Sequence, residues 1–158
     1  MVGYDAPMGI WSLVIGSTTA LLVVVVLVVR WASAGMAAAR AQLAEVAAGR
    51  AAVREGQAQS FGIRSKGVTQ LRGAGYLALF DDELVFLQAI AANHVRAKRL
   101  DIVGVTTPRS FLGKTQGVKL LAVEWREGAS TDQIALRVSD LEGWLDALRR
   151  AGVAVTTE

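Results

Sequence analysis

The chain contains no cysteine. That excludes disulfides, thiolate nucleophiles and cysteine-ligated zinc, and it suits a reducing compartment. There is one histidine, His94. A metal centre would need two or three further ligands, and no suitable spacing supplies them. Ser110, His94 and Asp101 can be assembled into a Ser-His-Asp set on paper, but no nucleophile elbow surrounds the serine. Aromatics are few, at 6%, and no basic-aromatic platform for nucleic acid is present. Catalysis, cofactor binding and metal binding are therefore not expected.

A further absence is local. From Ile10 to Val29, "IWSLVIGSTTALLVVVVLVV", 20 residues carry no charge. As a helix they would cover about 30 Å, the hydrocarbon thickness of a bilayer. The polar members, Ser12, Ser17, Thr18 and Thr19, can bond back to helix carbonyls. Trp11 and Trp31 flank the run, with Arg30 beside the second, as interface anchors do. A cleaved signal peptide would have a positive n-region and a shorter apolar core; here the first nine residues carry Asp5 and no Lys or Arg. The expectation is a transmembrane helix over 10–31 after a short external segment, 1–9. Arg30, Arg40, Arg50 and Arg54 come after the run, so the remainder is expected in the cytoplasm.

The segment from Ala32 to Gln59 is rich in alanine. Alanine is the best helix former, so a helical stalk is predicted over 32–59, weakened at Gly35, Gly49 and Gly56. Met36, Leu43, Val46 and Val53 fall near one face. Such a stalk would lift the next domain roughly 35–40 Å, or lie folded back on it.

From Ser60 the period becomes alternating. "GYLALF" and "ELVFLQAI" are short apolar strands either side of Asp81 and Asp82. "RLDIVGVTTP" ends at Pro108, which a central strand would not tolerate. "GVKLLAVEWRE" sets Val118, Leu120 and Ala122 against Leu121, Val123 and Trp125. "DQIALRV" sets Ile134, Leu136 and Val138 against Gln133, Ala135 and Arg137. "SDLEGWLDALRRAG" then reads as a capped amphipathic helix, with Leu141, Trp144, Leu145 and Leu148 on its apolar face and Gly152 as its stop. An α+β domain over 60–152 is predicted, with a tail at 153–158.

Two glycine patterns suggest nucleotides and fail on context. Gly73-x-Gly75-x-x-Ala78 matches a dinucleotide fingerprint. It lacks a buried strand before it, and Asp81, Asp82 and Glu83 break the helix that should come next. A hairpin fits better, its glycines loosening the backbone where the strand starts. In "FLGKTQG" the position five before Gly113 is Pro108, so the phosphate cradle is missing and a solvated basic loop is expected.

The succession "GYLALFDDELVF", "RLDIVGV", "GVKLLAVEW" and "IALRVSDLEGWLDAL" resembles the bacterial pleckstrin-homology-like, GRAM-related domain, over about Gly67 to Arg150. The resemblance implies a bent β-sandwich or partly open barrel of about seven antiparallel strands, closed at one end by the helix. It also implies a bacterial inner membrane setting and a binding role, toward phospholipid headgroups, peptides or protein surfaces. The family's lipid readers carry K-x-n-R-x-R in the first hairpin. Arg64, Lys66 and Arg72 lie early here, but R-x-R is absent.

Between His94 and Lys119 the bases are Arg96, Lys98, Arg99, Arg109, Lys114 and Lys119, against Asp101 alone. Such a basic edge would gain about 1 kcal/mol per residue near an anionic leaflet. The expected role is non-catalytic: an accessory subunit of a membrane complex that docks on other membrane-protein subunits. The alternative is a peripheral scaffold or sensor for anionic lipid.

Overall fold

The computed structural model describes residues 8–90 and 93–157, with the backbone alone for 8–20. The expected flank at 1–7 and the Trp11 side chain lie outside the described residues. The chain divides into two units, Met1–Ala34 and Gly35–Glu158.

The first unit holds most of α1, which runs Met8–Ala47. By length and composition this helix can cross a membrane. Leu21 to Val29 are all exposed, as are Arg30 and Trp31. Ser33 returns its hydroxyl to the Arg30 carbonyl at 2.9 Å, the bond that lets a hydroxyl sit in an apolar helix.

The second unit is α+β, with ten strands and a helix near its C-terminus among the described residues. In chain order these are β1 Arg54–Ile63, β2 Gly73–Leu79, β3 Glu83–Gln88, β4 His94–Lys98, β5 Ile102–Thr106, β6 Ser110–Phe111, β7 Lys114–Thr115, β8 Leu121–Glu127, β9 Ser130–Val138, α2 Leu141–Arg150 and β10 Val155–Thr156. Eight of the strands make one sheet in the order β10-β5-β8-β9-β1-β2-β3-β4. All its pairs are antiparallel except β10 with β5. The expected count of about seven is therefore low.

Two corrections account for the extra strands. The stalk predicted to Gln59 is helical only to Ala47; Ala48 and Gly49 turn left-handed, at φ 47° and 82°, and end it. Arg54 onward is β1, held between β2 and β9. Alanine propensity is a weak prior, and pairing on both sides overrides it. The second correction is the tail, where Val153 is buried and β10 pairs with β5.

The core explains the alternation. Leu77, Leu79, Leu84 and Phe86 from one half of the sheet share a cluster with Leu121, Val123, Ile134 and Leu136 from the other. Trp144, Leu145 and Leu148 of α2 complete it, as their spacing predicts. Asp140 caps α2 by accepting the Gly143 N–H at 3.0 Å. Opposite faces are covered too. Phe61, Leu120, Ala122 and Ala135 sit under Phe111 and Leu112 of the β6–β7 hairpin. Ala78, Phe80, Val85 and Leu87 pack on Leu43, Val46 and Ala47 from the end of α1. From Gly35 on, α1 is thus part of the sheet's packing and not a free stalk. Of the face predicted from Met36, Leu43, Val46 and Val53, Leu43 and Val46 pack on the sheet, whereas Val53 lies beyond the end of the helix and is half-exposed.

Candidate functional site

The β2–β3 turn forms where the sequence places it. Leu79 pairs with Leu84, and the Phe80 N–H donates to the Glu83 carbonyl at 2.8 Å. Gly73 and Gly75 do not loosen this hairpin. A Cβ on Gly75 would overlap the Leu87 carbonyl oxygen, and one on Gly73 would overlap the Gln88 side chain. At Gly75 the neighbour is backbone, so no larger residue fits, whereas at Gly73 the Gln88 side chain would have to move. The residues after the glycines continue as strand β2, where a dinucleotide fingerprint would open a helix.

Strand parity puts Glu83 on the same face as Val85 and Leu87, and it is only 7% exposed. Arg96 on β4, directly opposite Val85 and diagonal to Glu83, donates to both carboxylate oxygens of Glu83, at 3.0 and 2.8 Å. Arg50 donates to it at 2.7 Å and to Asp82 at 2.5 Å. Arg50 also caps the end of α1, donating to the Ala47 and Val46 carbonyls at 3.2 and 3.0 Å, and stacks on the Phe80 ring at 4.7 Å. The bonds from Arg96, and then those from Arg50, hold the Glu83 carboxyl below its ordinary range, against the upward push of burial. This network rivets the end of α1 to the hairpin and to β4.

Around it lies a cleft of about 450 Å³, lined by Asp81, Asp82, Glu83, Arg96, Lys98, Arg99 and Leu100. A second, of about 360 Å³, is lined by Val53, Asp81, Arg99, Arg150 and Ala151. Arg99 lines both, and its donors are aimed by carbonyls: Asp81 at 2.7 Å and Ala151 at 2.9 Å.

Of the six bases predicted as one edge, the fold brings Arg96, Lys98 and Arg99 together in the first cleft. It puts Arg109 and Lys114 at the β6–β7 hairpin, and Lys119 on a separate groove of about 580 Å³ with Gln57, Gln59 and Arg137. Arg109 donates to the Gly117 carbonyl at 3.3 Å. Lys114, expected in a solvated loop, instead donates to the Phe61 and Gln70 carbonyls at 3.1 and 2.5 Å. The hairpin turns on Leu112 and Gly113, at φ 50° and 72°, and closes back onto β1.

The other end of β2 and β3 carries a different surface. The β1–β2 connection exposes Val68 by 64% and Leu71 by 82%, between Arg64, Lys66 and Arg72. Lys66 donates to Asn93 of the β3–β4 connection at 2.8 Å, and Arg72 stacks on Phe61 at 4.6 Å. The chain enters the unit at this same end, where Gly35 lies against Ala89. Residues 60–72 contain no acid.

No protein-family model matches the chain, and no curated protein sequence matches it. Among solved structures, the C-terminal domain of an unknown protein from Leishmania infantum matches at a TM-score of 0.48 and 15% identity, over 66% of this chain and 85% of that one.

Proposed function

We propose that this is a membrane-anchored, non-catalytic interaction protein, an accessory subunit whose pleckstrin-homology-like unit meets other membrane-protein subunits in the cytoplasm. The fold reading is supported by the strand order. β1 to β4 form a meander, the chain returns through β5, β8 and β9 to the far side of β1, and α2 follows, with only the two-residue β10 after it. The anchor is supported by the apolar helix and the basic residues after it.

One observation carries the choice of a protein partner. Leu71 and Leu100 are each 82% exposed, at opposite ends of the hairpin. Leu71 lies two residues before β2, and Leu100 two residues after Lys98, which pairs with Glu83 at the turn. The seven residues of β2 separate the ends by about 20 Å. A flat bilayer meets one end, whereas a protein surface can meet both. Solubilising the full chain in mild detergent should bring down a subunit in fixed stoichiometry; a lone monomer would refute the reading.

A second reading, anionic lipid, is favoured by the loop end, where Val68 and Leu71 stand among Arg64, Lys66 and Arg72. Apolar tips ringed by cations suit a headgroup layer. Flotation of residues 35–158 with anionic but not neutral vesicles, lost in high salt and on Arg64→Gln with Lys66→Gln, would support it. Flotation indifferent to charge and salt would not.

A further inference from the structure

We infer that the turn end of the sheet, around Leu100, docks a partner segment that carries carboxylates beside a large apolar side chain. The inference rests on the interaction reading above and names the chemistry of its partner. Leu100 projects from the short helical turn Arg99–Asp101 and lines the first cleft; half-exposed Val53 lines the second. The two clefts share Asp81 and Arg99, so they form one continuous surface with apolar points on it. An isolated leucine exposed by 82% and lining a cleft is the shape a partner side chain packs against while water is excluded around it.

Charge decides the partner's sign. Asp82 and Glu83 are already bonded to Arg50 and Arg96. Lys98 and Arg150 are exposed and make no side-chain hydrogen bond or ion pair among the described residues. Arg99 bonds carbonyls, which leave its charge uncompensated. Three uncompensated cations thus face one carboxylate, Asp81. The Arg99 guanidinium is also held in place before any partner arrives, and only two of its roughly five N–H groups are occupied. A pre-oriented guanidinium with free donors is suited to bidentate capture of a carboxylate. Lys98 on one side and Arg150 on the other extend that preference across both clefts.

The test is a photo-crosslinking residue at position 100 of the full chain, in its own membrane, with position 71 as the comparison. The expected result is a protein adduct at position 100 whose sequenced peptide carries Asp or Glu next to Leu, Ile, Met or Phe. Reversing Lys98→Glu with Arg150→Glu should lower the yield at 100 by about tenfold and leave that at 71 unchanged. Lys98→Arg with Arg150→Lys should restore it. Lipid adducts at 100, a peptide without acids, or a yield unmoved by the reversal would overturn the inference. A subunit that co-purifies but crosslinks at 71 alone would overturn it and leave the interaction reading standing. No co-purifying subunit at all would overturn both.

Discussion

Glu83 is the residue on which the turn end depends. Its carboxylate is buried, and two guanidiniums from different elements converge on it. Glu83→Gln keeps the shape and removes the charge, and should cost about 1–3 kcal/mol, as lost hydrogen bonds to a charged group do. Chemical denaturation measures it. The pH dependence has a definite sign. Because Glu83 is held below its ordinary value of 4.5 in the folded state, its contribution is present above pH 4.5 and is lost as pH falls through the folded value. Asp140, lowered first by the Gly143 N–H and then by Arg54, acts in the same direction. Thermal unfolding should therefore show stability falling on the acid side of pH 4.5, less steeply in Glu83→Gln. Little of this is legible in the sequence. Parity alone puts Glu83 with Val85 and Leu87, but "DDE" reads as three solvated acids until the end of α1 is known to cover that face. Arg96 reads as one more exposed base for the same reason.

At the scale of elements, the end of α1 shows where local reading stops. The apolar pair Leu43 and Val46 is visible in the sequence, as are the β2–β3 hairpin, β5, β8, β9 and α2, whose cap could be either Ser139 or Asp140. Each has a strong period or a turn residue of its own. β1 has neither. "REGQAQ" carries no β-branched residue, and it is a strand because β2 and β9 offer ladders on both sides. β10 is two residues long and is defined only by its partner. Non-local pairing of this kind leaves no local trace. If α1 is part of the sheet's packing, Leu43→Ala should destabilise the second unit by about 2–4 kcal/mol, the cost of a buried leucine. A thermal melt in detergent checks this. A melt unchanged from the parent would mean the helix end is a detached stalk after all.

For the whole molecule, the two units impose different requirements. As the proposed anchor, the apolar helix should keep the full chain with the membrane fraction after alkaline carbonate and high salt. Release by either would mean that the helix is not an anchor. The β unit offers a mixed-charge surface at one end and a cationic, apolar-tipped loop at the other, and this pairing is not legible in the sequence. Closeness along the chain groups Arg96, Lys98 and Arg99 with Arg109, Lys114 and Lys119, whereas the fold distributes them over three places. Exposed Leu71 and Leu100 read as ordinary members of their segments. The proposal that both ends serve a protein partner is tested most directly by the mass of the particle extracted gently from the native membrane. Native mass spectrometry should return this chain bound to another subunit in a fixed ratio. A particle with the mass of the single chain, bearing only lipid and detergent, would contradict it.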